Sequence, residues 1–254
     1  MTDGVNGIKD TDLQKLMAGK NVRVAPFIGN YTEGMNGNFV KKDMKDAFEL
    51  IYLNFTAPYF TQEMFEVNKK NLKDNAATRM ANPDAYKAYK KSEFLANGNP
   101  RALPAFFLPE QYDKMDLGRM EQIYKERFAG ADDFTFVFVG SFTPEQLKPF
   151  VETYIASLPA KGVKEEYKDL NLDYPKGPVT TTINKGVDQK AQVDFYWKKD
   201  AKYDDKTAFD FSVFNRILMM RLINSLREEM GGTYSPGAGG MATYVPRDQV
   251  TFRI

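Results

Sequence analysis

The chain has 254 residues and a mass of 29.0 kDa, with 35 Lys and Arg against 34 Asp and Glu. At about 150 residues per domain, that length makes roughly one to two domains, enough to bury a sizeable core. A net charge of +1 gives no electrostatic footprint for nucleic acid or an anionic membrane surface, and 43% hydrophobic residues exclude a disordered chain.

Histidine and cysteine are both absent. The chain by itself therefore builds no Ser-His-Asp relay, no Cys-His pair, no disulfide and no zinc site of histidine or thiolate ligands. Chemistry is left to Asp, Glu, Lys, Arg, Tyr, Ser and Thr. No run of about 18 apolar residues is present, so no membrane span is expected, and MTDGVNGIKD has no signal-peptide pattern.

In chain order, Asn21–Ile28 reads as a strand, followed by turns at Gly34 and Gly37 and a short extended piece at Asn38–Val40. Asp43 is placed to cap a helix whose stripe is Met44, Ala47, Phe48, Ile51 and Phe55, ended by Pro58. Thr61 opens a long polar helix reaching Met80. Asn82-Pro83-Asp84 breaks it and starts another over Asp84–Leu95. Residues 97–110 carry three prolines and read as a loop, and Asp116 caps a helix with Met120, Ile123, Tyr124 and Phe128.

Asp133–Val139 reads DFTFVFV, with apolar residues on both faces, which predicts a central strand covered on both sides. Thr143-Pro144-Glu145-Gln146 is a capping box for a helix carrying Leu147, Phe150, Val151, Tyr154, Ile155 and Leu158. The mixed-charge stretch 159–178, bounded by prolines, reads as a solvated linker and a domain boundary. Beyond it, strands are expected at Val179–Ile183 and Ala191–Trp197, the latter with Ala191, Val193, Phe195 and Trp197 inward. A helix over Asp205–Glu229 places Phe211, Phe214, Leu218, Leu222 and Leu226 inward and ends at Gly231-Gly232. Thr233–Tyr244 returns as a strand, and Gln249–Ile254 has strand chemistry with no partner after it. Both ends read as cut, which predicts a fragment of a longer chain. Grouped strands and helices on both sides of the linker favour two similar α+β units.

Few motifs carry chemistry. The glycines of residues 231–240 follow a helix rather than lead into one and lack Gly-Lys-Ser/Thr, so they do not form a phosphate loop. The acid pairs Glu165-Glu166, Asp204-Asp205 and Asp132-Asp133 fit solvated or turn positions. Asn30-Tyr31-Thr32 and Asn54-Phe55-Thr56 match the glycosylation sequon, which is short and frequent by chance. Twelve methionines spread through amphipathic stretches fit core filling. In Leu226-Arg-Glu-Glu-Met-Gly-Gly-Thr-Tyr234, Arg227 and Tyr234 flank the glycine turn. The arrangement can aim a cation and a phenol at one spot, as for a peptide carbonyl or a developing oxyanion. The simpler chemical alternative is that Arg227 complements the helix C-terminus and Tyr234 is core.

That segment resembles the Leu-Arg-Glu-x-x-Gly-x-x-Tyr stretch of the pitrilysin/insulinase family of inverted zinc metallopeptidases. Asp133–Pro159 resembles the same family's strand, glycine turn and helix ending in Leu-Pro, and Asp43–Phe60 resembles its pre-ligand region. The resemblance implies α+β domains of the mitochondrial-processing-peptidase type, each an antiparallel sheet with helices packed on one face. Residues 1–174 would be most of one such domain, missing its first strands, and 175–254 the N-terminal part of a second.

In the family, zinc is bound by His-x-x-Glu-His and a distal glutamate. With no histidine, and no glutamate in Asn68–Asn75, this chain resembles the non-catalytic C-terminal half of a long bacterial member. The resemblance then implies no metal and no catalytic residue in this chain, with zinc in the parent protein. Arg227 and Tyr234 would be substrate-binding residues. The implied partners are a peptide substrate and the N-terminal catalytic half of the same chain, with no nucleic acid. A bacterial cell-envelope or periplasmic location follows only from the long bacterial members. The alternative is an inactive family member that serves as a peptide-binding scaffold.

Overall fold

The structure is a computed structural model, and it describes residues 2–162, 165–233 and 235–254. The strands are β1 (Gly4–Val5), β2 (Ile8–Lys9), β3 (Val22–Ile28), β4 (Glu33–Phe39), β5 (Pro58–Tyr59), β6 (Tyr196–Asp200), β7 (Gly239–Thr243) and β8 (Gln249–Arg253). The helices are α1 (Asp10–Leu16), α2 (Met44–Thr56), α3 (Gln62–Ala81), α4 (Pro83–Leu95), α5 (Pro109–Tyr112), α6 (Leu117–Arg127), α7 (Pro144–Phe150) and α8 (Asp205–Leu222). The class is α+β, with antiparallel pairing in three small sheets ordered β2-β1-β5, β3-β4 and β6-β8-β7. No described helix is long and apolar enough to cross a membrane. The chain forms two compact units, residues 1–75 with 108–167, and residues 76–107 with 168–254.

In the first unit, α2 is the core helix. Met44, Ala47, Phe48, Ile51 and Phe55 are all buried, as the stripe required. Phe48 stacks on Phe138 at 4.9 Å and on Phe150 at 5.6 Å, and Phe55 meets Phe134 edge-on at 5.1 Å. Tyr124 and Phe128 of the α6 end fill the same core and stack at 4.6 Å. The capping box at Thr143 forms with its reciprocal bonds, and Asp116 accepts from the Arg119 N–H at 2.7 Å. Pro149 lies inside α7, which then widens into a π-turn over Val151–Ile155.

Two expectations for this unit are corrected. Asp43 does not cap α2 with its side chain. It forms the end of a 3₁₀ turn, and its carboxylate accepts the Asn21 N–H at 2.7 Å, a bond across 22 residues. Asp133–Val139 forms no strand ladder, and only one face is covered. Phe134, Phe136 and Phe138 pack on the core, whereas Val137 and Val139 are 76% and 93% exposed.

In the second unit, α8 packs on one face of the β6-β8-β7 sheet. Phe211 and Phe214 meet Phe252, and Trp197 lies 5.7 Å from Phe252. Gly240 permits this approach: a Cβ there would lie 2.7 Å from the Phe211 ring and 2.3 Å from the Thr251 carbonyl. α8 starts at the Asp204 cap, which accepts from the Thr207 N–H at 2.7 Å. Phe211, Leu218, Leu222 and Leu226 are partly covered as expected, but Phe214 is 47% exposed. Phe209, Val213, Ile217 and Met220 add an exposed apolar stripe that an inward-facing pattern did not anticipate.

β6 begins at Tyr196 rather than Ala191, and its covered residues are Tyr196 and Lys198. Val193, Phe195 and Trp197 are exposed, although Trp197 lies beside Phe252 on the face that α8 covers. Val179–Ile183 forms no ladder. β8, read from the sequence as a strand, is the central one, paired with the earlier strands β6 and β7.

Candidate functional site

Arg227 lies in a π-turn, Ile223–Glu229, that continues α8. Such a turn carries one extra residue, so side chains beyond it rotate about 100° from the α-helical extrapolation. Gly231 ends the helix with φ 60°, and the Gly232 N–H closes it by donating to the Leu226 carbonyl at 2.9 Å. The turn therefore sits where the glycine pair placed it. The Arg227 side chain is 44% exposed, and its Nε lies 3.3 Å from Glu228 Oε1. Tyr234, the other expected substrate-binding residue, lies outside the described residues.

Along the same helix runs a shallow groove lined by Val213, Asn215, Arg216, Met219 and Met220, with Ala238 opposite. The sequence reading missed it. Its signal is the run Phe211–Leu226, which holds Arg216 and Arg221 and no acidic residue, with apolar positions on both sides of the helix.

The densest electrostatic feature was also missed. Arg247 binds Asp169 at 2.9 Å, binds Asp173 through its other terminal nitrogen, and lies 3.3 Å from Asp200. Lys198 donates to the Leu172 carbonyl and lies 3.8 Å from Asp173. Burial pushes the Lys198 ammonium below the usual lysine range, against the pull of Asp173. The Asn171 N–H, and after it Arg247, hold the Asp169 carboxyl below the usual range.

The expected solvated linker is therefore docked at both ends of its length. In the first unit Asp132 accepts the Lys161 and Gly162 N–H groups at 3.1 and 2.6 Å. Arg127 there pairs with Glu165 and lies 3.6 Å from Glu33. Burial, and then the Glu165 carboxyl, raise the Glu33 pKa against the opposing Arg127 charge.

The family model for the peptidase M16 inactive domain matches residues 114–254. The chain belongs to that family. This M16 chain is 20% identical over 248 residues to the probable zinc protease PqqL of Haemophilus influenzae, covering 96% of this chain and 26% of the relative. Its fold matches the ferredoxin protease FusC, solved as a variant in complex with Arabidopsis ferredoxin. That match has a TM-score of 0.74 and 15% identity, over 99% of this chain and 27% of the other. The periplasmic protease PqqL of Escherichia coli matches with a TM-score of 0.70 and 17% identity, over 99% and 28%. The M16 chain thus spans just over a quarter of the length of these relatives.

Zinc is the metal that the relative's name implies, and the donors of this M16 chain do not fit it. All 254 residues contain no histidine or cysteine. Among the described residues no group of acids could hold a metal ion, and Asp169, Asp173 and Asp200 all face the Arg247 guanidinium.

Proposed function

We propose that this chain is the non-catalytic, substrate-enclosing C-terminal part of a zinc-dependent metalloendopeptidase that hydrolyses peptides or small unfolded proteins. One observation carries the reading. A chain of the M16 inactive-domain family, 96% of which aligns with a probable zinc protease, contains no histidine or cysteine, so its carboxylates have no imidazole or thiolate to complete a catalytic zinc site. The metal and the water-activating base belong to the N-terminal half of the parent protein, and residues 1–174 and 175–254 are two homologous α+β domains.

Within this chain, Arg227 and Tyr234 act on the substrate carbonyl. The guanidinium and the phenol both donate hydrogen bonds, and both bonds strengthen as negative charge develops on that oxygen. Glu228, beside Arg227 at 3.3 Å, orients the guanidinium.

The test is reconstitution. The chain alone is assayed on casein, then mixed with the N-terminal half expressed separately, and zinc is measured in each. The expected result is no proteolysis and no zinc in this chain, zinc in the other half, and proteolysis on mixing. Peptide binding by the mixture without proteolysis or zinc would replace the reading with a scaffold.

A further inference from the structure

The sequence contains three Asn-Gly pairs: Asn6-Gly7, Asn36-Gly37 and Asn97-Gly98. They differ in what holds the peptide plane between the two residues. Asn36 and Gly37 lie in β4, in register with Ala25 and Val24, and a Cβ at Gly37 would lie 2.9 Å from the Arg23 carbonyl. Asn6 and Gly7, with φ 51° and 74°, form the exposed turn between two paired strands, and there, as at Asn97, the asparagine N–H is bonded, donating to the Ala57 carbonyl at 2.7 Å.

Asn97 follows the Ala96 cap of α4 with φ 50°, and Gly98 follows with φ 74°. Both are exposed, and open space surrounds Gly98. Among the described residues, the Asn97 side-chain amide, the Asn97 carbonyl and the Gly98 N–H make no hydrogen bond.

We propose that Asn97–Gly98 is a site of spontaneous covalent modification, at which the asparagine converts to an isoaspartyl link. Ring closure needs the Asn97–Gly98 plane to rotate about the Asn97 Cα–C bond; neither polar group of that plane is hydrogen-bonded, and the bond from the Asn99 N–H to the Ala96 carbonyl across the turn is the restraint that must give. Glycine adds no side chain to block it. The Gly98 nitrogen attacks the Asn97 side-chain carbonyl carbon, and the bond to the side-chain nitrogen breaks. Ammonia departs with the proton from Gly98, leaving a succinimide. Water opens the ring at either carbonyl, giving aspartate or isoaspartate.

The product acts on its surroundings through Asn99. The Asn99 side-chain amide donates to the Leu170 and Asn171 carbonyls at 3.0 and 3.1 Å, and the Asn99 N–H donates to Ala96. An isoaspartyl link adds one methylene to the main chain two residues before that clamp. It also sets a carboxylate at the C-terminus of α4, where negative charge is unfavourable. Residues 170–171 therefore loosen as the site ages.

The experiment ages the purified chain in warm, mildly alkaline buffer and follows each Asn-Gly pair by peptide mapping that separates aspartate from isoaspartate. Hydrogen exchange at residues 170–171 is measured in parallel. Asn97 should convert several-fold faster than Asn36, and exchange at 170–171 should rise in step. Asn97→Gly keeps a residue that accepts positive φ and removes the amide, so it should hold exchange at its starting value. Equal rates at Asn97 and Asn36, or no conversion at Asn97 while a short peptide of the same sequence converts, would overturn the proposal. Conversion without a change in exchange would overturn the link to Asn99.

Discussion

The Tyr124 hydroxyl donates to the Asn54 main-chain carbonyl at 2.9 Å inside the core. In an α-helix that carbonyl would accept from the residue four places on, which is Pro58 and has no N–H. The phenol supplies the bond that the proline cannot. Tyr124→Phe keeps the ring stack on Phe128 and removes only this donor. It should destabilise the protein by about 1–3 kcal/mol in urea unfolding, the range for a buried acceptor left unmatched.

The same phenol gives a pH dependence. Burial pushes its ionisation far above the usual tyrosine value. The unfolded chain ionises it at about 10. Its contribution to stability is therefore complete below that pH and is lost as pH rises beyond it. Unfolding followed on the alkaline side should show a fall that Tyr124→Phe makes shallower.

Arg247→Ala should release residues 168–174 from the β6-β8-β7 sheet. Its partners are partly exposed, so the loss should be about 1–2 kcal/mol rather than the larger value of a fully buried pair. Hydrogen exchange should rise at 169–173 and not in α2. The Asp169 carboxyl sits below its usual range, so its contribution is present above the unfolded value of about 4 and is lost as pH falls. The variant should weaken that acid-side dependence.

Gly240→Ala places a Cβ against the Thr251 carbonyl and the Phe211 ring. α8 must then shift from the sheet, with a destabilisation of about 1–3 kcal/mol. The fluorescence of the single tryptophan, Trp197, which packs on Phe252 on that same face, should report the movement.

Arg227→Ala or Tyr234→Phe in the intact parent should lower kcat/KM by about ten-fold or more, the scale of a lost transition-state hydrogen bond. Unchanged kinetics in both variants would remove the assigned roles and leave the fold assignment untouched.

The sequence was most legible where the physics is local. Asp116, Thr143 and Asp204 cap the helices that they precede because donor and acceptor lie three residues apart. Asp43 carries the same local signal and fails, because the Asn21 N–H competes for its carboxylate. Residues 168–174 read as solvated because their cation lies 74 to 78 residues away, at Arg247. In DFTFVFV the alternation is visible, but which face is covered, and whether both are, is a long-range property. The helix end at Gly231 was readable from the glycine pair, whereas the π-turn carrying Arg227 left no mark on the pattern.

The one-sided ribbon Asp133–Val139 has a practical consequence for handling the polypeptide by itself. Seven residues rich in Phe and Val, free of proline and without ladder bonds, form a template for self-association. Asp132 and Asp133 at its start are charged gatekeepers that shorten the sticky length. Replacing either aspartate with a neutral residue trades solubility for precipitation, and Val137→Lys, on the bare face, makes the polypeptide easier to keep in solution.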